Sequence, residues 1–291
     1  MAERVAIFEM SPRDGLQNEA APVTTAQKIA LVDLLSDTGL DRIEVTSFVS
    51  PKWVPKMADA AEVMAGITRR AGLRYAALAP NLKGFEAAVA ARADEVAVFA
   101  SASEGFSRAN INASVDESLE RFVPVLEAAQ ARGVPVRGYV SCVTDCPFDG
   151  RVAPAQVLRV ARALIDMGCY EVSLGDTIGR AVPETLAQLL DLLAVELPVT
   201  RLAGHFHDTG GRALDNISAA LGYGLRVFDA SVAGLGGCPY APGASGNVAT
   251  EAVVAHLHAL GFETGIDPAA LDRAASFART ITGRPGAGRA G

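Results

Sequence analysis

Cysteine is scarce. Cys142, Cys146, Cys169 and Cys238 are the only four in 291 residues, too few and too scattered for a disulfide framework in a chain this long. They are expected as thiols in a reducing compartment. No run of 18 or more apolar residues occurs, although half the chain is hydrophobic, so no membrane-spanning helix is expected. Positive charge is in deficit, with 26 Lys and Arg against 33 Asp and Glu for a net charge of −7. Without a basic stripe, neither a nucleic acid nor a polybasic membrane contact is expected as partner. Met1 to Ser11 lacks the basic, apolar and small-residue order of a secretory signal and the arginines of a transit peptide, which makes the cytoplasm the default location. No dinucleotide fingerprint follows a strand, and the one glycine-rich stretch has no Gly-Lys-Ser/Thr ending, so phosphate-cradle sites are not expected.

What the chain does have is alternation. Short β-rich runs at Val5–Glu9, Arg42–Thr46, Arg74–Leu78, Glu95–Phe99, Val136–Ser141, Glu171–Leu174, Leu202–His207 and Val227–Ser231 are separated by helix-like segments. Those segments lie near Thr25–Asp37, Lys56–Arg70, Leu82–Ala91, Val115–Ala131, Pro154–Met167, Pro183–Val195 and Arg212–Leu221, and Ser245–Leu260 closes the series. Gly39, Gly72, Gly133, Gly168 and Gly224 fall between a helix and the next strand, where a left-handed residue ends a helix cheaply. Eight such units predict a single α/β chain folded as a (β/α)8 TIM barrel over residues 1–283 with a short C-terminal helical extension. The tail 284–291 contains only Gly, Ala, Arg and Pro and is expected to be flexible.

All four histidines fall in two His-x-His pairs, His205-Phe206-His207 and His256-Leu257-His258. Residues two apart share a face in a strand and diverge by about 200° in a helix. His205 and His207 end a predicted strand and are placed to chelate. His256 and His258 lie where Val253, Val254, Leu257 and Leu260 recur at helical spacing, which predicts packing or surface roles. A barrel gathers its chemistry on the loops after its strands. That rule collects Arg13, Asp14 and Gln17 after the first strand, Glu44 on the second, Asp176 and Thr177 after the sixth, His205 and His207 on the seventh, and Cys238 and Asn247 after the eighth. Two imidazoles, a carboxylate and an amide oxygen suit a divalent cation of the Mg²⁺, Mn²⁺ or Zn²⁺ kind. Glu44 needs a buried counter-ion, for which Arg13 is the natural partner. Alternatives stay open: Arg13-Asp14-Gly15 also reads as an ordinary turn, and Asp176 also reads as a helix cap. Cys142 and Cys146 lack a second ligand pair and are expected as buried thiols, and Cys169 as packing.

The segments Ser11 to Glu19, Thr46 to Pro55, Ser173 to Gly179, His205 to Thr209 and Gly234 to Thr250 together resemble the 3-hydroxy-3-methylglutaryl-CoA lyases, within a superfamily of metal-dependent lyases and Claisen-condensing barrels. The Gly-Gly-Cys-Pro-Tyr-Ala run at 236–241 is the part specific to lyases. The resemblance implies an acyl-CoA thioester as substrate, a divalent metal (Mg²⁺ or Mn²⁺) held by Asp14, His205, His207 and Asn247, and a homodimer. It implies Arg13 as the cation at the developing enolate oxygen, held by Glu44, with Asp176 or Asp14 as base and Cys238 as the acid that protonates the enolate carbon. It also implies substrate contacts from Arg13, Gln17, Ser47, Asn110 and Thr177. Two positions depart from the pattern: Ala20 stands where many relatives carry lysine, and Gly210 where they carry an aromatic residue. Gly210 is expected to open room for a branch bulkier than methyl. The competing expectations are a Claisen-condensing synthase of the isopropylmalate or homocitrate type, a pyruvate-releasing aldolase, and a non-catalytic metal- or acyl-CoA-binding barrel.

Overall fold

The computed structural model describes residues 2–237 and 246–284. Strands β1 Ala6–Glu9, β2 Arg42–Ser47, β3 Arg74–Leu78, β4 Glu95–Ser101, β5 Val136–Ser141, β6 Glu171–Asp176, β7 Leu202–Phe206 and β8 Val227–Ala230 form a closed barrel. Neighbours in chain order pair in parallel, and β1 closes the ring on β8 from Ala6 opposite Val227 to Glu9 opposite Ala230. The fold is therefore the expected (β/α)8 barrel, with every strand boundary within two residues of its expected place.

Local chemistry explains where the helices begin and end. Thr24 and Gln27 form a reciprocal cap on the helix Thr25–Ser36, and Ser114 with Glu117 does the same for Val115–Arg132. Each arrangement satisfies backbone N–H groups that the first turn leaves unpaired. Pro154 and Pro183 occupy first turns, where their missing N–H costs nothing. All five glycines expected to be left-handed between helix and strand have positive φ.

The outward faces of the strands and the inward faces of the helices form one continuous apolar layer, in which Val172 and Leu174 of β6 and Val157, Val160 and Leu164 of the helix Pro154–Asp166 are buried. Inside the barrel, charge stands where aliphatic layers are usual. Arg42, Glu95, Arg137, Glu171 and Asp229 are all buried there. Arg137 donates from Nε to Glu171 at 2.7 Å and lies against the rings of Phe8 and Tyr139 at 4.7 and 5.0 Å.

Two elements have no counterpart in the sequence-based expectation. A helix Glu104–Ile111 follows β4, and a small hairpin pairs Asp145–Cys146 with Gly150–Arg151 after β5. The C-terminal extension is a 15-residue helix, Pro268–Thr282, ended by left-handed Gly283. Arg284, the first residue of the expected flexible tail, is instead held: its guanidinium pairs with Glu19 at 2.5 Å and donates to the Gly234 carbonyl at 2.8 Å. Among the described residues no helix is long and apolar enough to cross a membrane.

Candidate active site

The C-terminal mouth of the barrel opens into a cavity of about 750 Å³. One side is polar, with Arg13, Asp14, Gln17, Thr177, His205 and His207; the other is apolar, with Leu78, Phe99, Phe106, Phe122 and Val140.

Asp14 sits in a single π-helical turn, Ser11–Gly15, directly after β1. The turn is fixed from below by Glu9, whose buried carboxylate accepts from the Ser11 N–H at 3.0 Å, the Val232 N–H at 3.0 Å and the Thr250 hydroxyl at 2.6 Å. One side chain thus ties the loop after β1 to the loop after β8. Gly15 permits the close approach of these loops, since a Cβ there would lie 2.9 Å from both Leu235 Cβ and Ser231 Oγ. On the far side, the backbones of His207 and Asn247 form an antiparallel bridge. The Asn247 amide donates to Asp14 Oδ2 at 2.7 Å and to the Leu235 carbonyl at 3.1 Å.

His205 and His207 share a face as the strand period requires, with ring centroids 5.2 Å apart. One ligand atom from each imidazole and one from Asp14 all lie within 4.8 Å of one another. Burial works to raise the Asp14 carboxyl, but Arg13, His205 and His207 outweigh it and hold it down to about 2. Burial and the neighbouring His205 push His207 down to about 4. Burial also lowers His205, but the Asp229 carboxylate more than offsets this and raises it. An ionised carboxylate beside two imidazoles is a donor set that fits a divalent cation. The second pair diverges: His256 bonds Ser218 at 2.7 Å and His258 bonds Thr264 at 3.0 Å, both histidines lying on the helix Thr250–Ala259.

Arg13 is nearly buried and held on two sides. Its Nε donates to Glu44 at 2.5 Å and its Nη1 to Asp14 at 2.6 Å. Glu44 also accepts from the Tyr139 hydroxyl at 3.2 Å. Burial opposes the charge on Arg13, and Glu44 and Asp14 overcome it, raising its pKa. The third nitrogen, Nη2, makes no hydrogen bond to a described residue, and Arg13 lines the cavity.

Not every expected residue reaches the cavity. Asp176 does not: along β6, Ser173 and Gly175 line the cavity while Val172 and Leu174 face the helices, and Asp176 continues the outward set. Its carboxylate accepts the backbone N–H groups of Arg180 at 3.1 Å and Ala181 at 2.9 Å, and burial pushes it up to about 6. The cap-like alternative describes it better than the base. Ser47 is buried beneath the mouth and accepts from the Val49 N–H at 3.3 Å, outside the cavity lining. Gly210 is also outside it; a Cβ there would meet the Gly179 carbonyl at 2.7 Å, so backbone approach explains the glycine and the expected role in substrate size falls away. Gln17, Asn110 and Thr177 do line the cavity, Asn110 from the unanticipated helix Glu104–Ile111. Cys238 lies outside the described residues, although Gly237 before it lines the cavity. Cys142, Cys146 and Cys169 are buried free thiols, as expected.

With this geometry in hand, likeness to known proteins is informative. The profile of a family described as HMGL-like matches residues 4–278. The chain is 59% identical over 290 residues to the 3-hydroxy-3-isohexenylglutaryl-CoA/hydroxy-methylglutaryl-CoA lyase of Pseudomonas aeruginosa, covering 100% of this chain and 97% of that protein. The crystal structure of the HMG-CoA lyase from Brucella melitensis superposes with a TM-score of 0.96 at 61% identity, covering 97% of this chain and 100% of that one. An HMG-CoA lyase from Acinetobacter baumannii in complex with coenzyme A and 3-methylmalate superposes with a TM-score of 0.93 at 37% identity, covering 98% and 93%.

Proposed function

The chain belongs to the HMGL-like family, and from that premise we propose that it cleaves 3-hydroxy-3-methylglutaryl-CoA to acetyl-CoA and acetoacetate. The observation that carries the proposal is the meeting of Asp14, His205 and His207 at one mouth beside a buried guanidinium held by Glu44. Asp14, His205 and His207 would hold a divalent cation, Mg²⁺ or Mn²⁺, with Asn247 completing the set; when bound, it would acidify and orient the tertiary hydroxyl of the substrate.

The chain's own residues then divide the work. Retro-Claisen cleavage converts the thioester fragment to an enolate, and a fixed cation at that oxygen stabilises the charge as it develops. Arg13 takes this role, because Glu44 and Asp14 fix two of its nitrogens and leave Nη2 for the substrate. Of the two carboxylates considered as base, Asp14 lines the cavity and Asp176 does not, so Asp14 takes the hydroxyl proton. Gln17, Asn110 and Thr177 orient the acyl chain from the walls. Protonation of the enolate carbon stays with Cys238, on the strength of the Gly236-Gly237-Cys238-Pro239 run. The apolar wall would take the substituent at C3, methyl or longer. The same reading carries a homodimer and a cytoplasmic location.

The test is product identification. Purified protein given the methylglutaryl thioester and Mn²⁺ should release acetyl-CoA and acetoacetate in equal amounts. Condensation of an acyl-CoA with an oxo acid, with no cleavage, would favour the synthase reading instead.

A further inference from the structure

Behind His205 stands a charged array that the proposed chemistry leaves unused. Asp229 of β8 is directly opposite His205 of β7 in the parallel register. Its two oxygens receive four contacts: Arg137 Nη2 at 2.8 Å on Oδ1, and Arg137 Nη1 at 3.0 Å, the Ser173 hydroxyl at 2.7 Å and His205 Nδ1 at 3.1 Å on Oδ2. A carboxylate clamped by both nitrogens of a guanidinium fork is ionised and fixed in orientation. Arg137 is itself immobile, being fully buried between Phe8 and Tyr139 with its Nε on Glu171.

We propose that Asp229 is a positioning residue that sets the ring of His205 for cation binding, with Arg137 holding Asp229 in place. The argument is one of donors and acceptors. An ionised carboxylate only accepts, so the 3.1 Å contact requires the hydrogen to sit on Nδ1 of His205. The lone pair is then on Nε2, the atom left for the cavity that Asp14 and His207 also line. A ring bonded on one side to a clamped acid neither flips nor changes tautomer, so the ligand is ready before the cation arrives. Nothing in the His-x-His spacing signals this partner, which lies 24 residues away on the next strand.

The proposal rests on the cation reading of the mouth, and two measurements separate them. In metal-free wild-type protein at a pH where the imidazole is neutral, ¹⁵N shifts of the His205 ring should report the Nδ1–H form. Calorimetric titration with Mn²⁺ should show Asp229→Asn binding about 10- to 100-fold more weakly than wild type. Glu95→Gln, which removes a buried barrel charge bonded to Tyr170 and Arg74 and to no member of the array, should bind Mn²⁺ as wild type does. The Nε2–H form in the wild type, undiminished affinity in Asp229→Asn, or equal loss in Glu95→Gln each overturns the positioning role. Failure of the wild type to bind Mn²⁺ overturns the cation reading itself, and the tautomer measurement still decides the geometry on its own.

Discussion

Replacing Arg13 by lysine keeps the charge and removes the fork. In the structure, Nε and Nη1 are committed to Glu44 at 2.5 Å and Asp14 at 2.6 Å, and Nη2 is free of described partners. A lysine has one nitrogen for all three tasks, and the two carboxylates will claim it. The positive charge would then retreat from about 3 Å, the reach of a direct donor to an oxyanion, to roughly twice that distance from the enolate oxygen. At an effective dielectric constant of about 20, the attraction falls from about 5.5 to about 2.8 kcal/mol. A loss near 3 kcal/mol corresponds to a kcat lowered by about 10²-fold, within the range found when one preorganised donor to an oxyanion is removed. Lysine is the informative choice because Arg13→Ala would strand Glu44, which is fully buried, at a cost of about 3–5 kcal/mol in stability. The assay is steady-state release of acetyl-CoA at saturating thioester and Mn²⁺, with a thermal melt to confirm folding. A kcat within threefold of wild type in a folded Arg13→Lys protein would refute the role.

Three further predictions follow from other parts of the site. Glu9→Gln sets an amide N–H against one of three donors that now share a carboxylate, and urea unfolding should show a loss of about 1–3 kcal/mol; an unchanged midpoint would mean that Glu9 does not tie the two loops. Asp176 has a folded pKa of about 6 against 3.8 unfolded, so the folded state holds the extra proton between those values and stability falls as pH rises from about 4 to about 6. Relative to Asp176→Asn, wild type should lose about 3 kcal/mol across that window, and parallel stability curves would contradict the assignment. If the apolar wall of Leu78, Phe99 and Phe106 receives the C3 substituent, a thioester whose branch is several carbons longer than methyl should be cleaved with kcat/KM at least equal to that of the methyl compound, because each buried CH₂ contributes about 0.8 kcal/mol in its favour. A thousandfold preference for methyl would place the branch elsewhere.

Elements whose signals are local are legible before any fold is known. The alternation of strand and helix and the contrast between the two His-x-His pairs depend only on periods of 2 and 3.6, and the left-handed glycines only on the missing Cβ. The Arg13 and Glu44 pair is legible because a buried strand carboxylate demands a cation. The expectation for Asp176 fails because β6 runs two residues beyond Leu174, and its facing follows from strand parity, which the shorter expected strand does not include. That for Gly210 fails because closeness in sequence to His207 does not imply closeness to the cavity; its neighbour is the backbone of Gly179. Glu9, Arg137, Tyr139 and Asp229 carry no local signal, because their partners come from other strands and meet only when the barrel closes. The helix Glu104–Ile111 presents Glu104, Ser107, Arg108 and Asn110 with little apolar periodicity, so sequence pattern alone provides no element on which to place Asn110.

The central claim is that cleavage depends on one cation held by the first His-x-His pair with Asp14. The most direct measurement is turnover of 3-hydroxy-3-methylglutaryl-CoA by metal-stripped protein as Mn²⁺ is added, for wild type, His205→Ala and His256→Ala. Activity should rise from near zero and saturate at one equivalent in wild type and His256→Ala, and stay near zero in His205→Ala. Full turnover by the stripped protein, or equal loss in the two variants, would contradict the account.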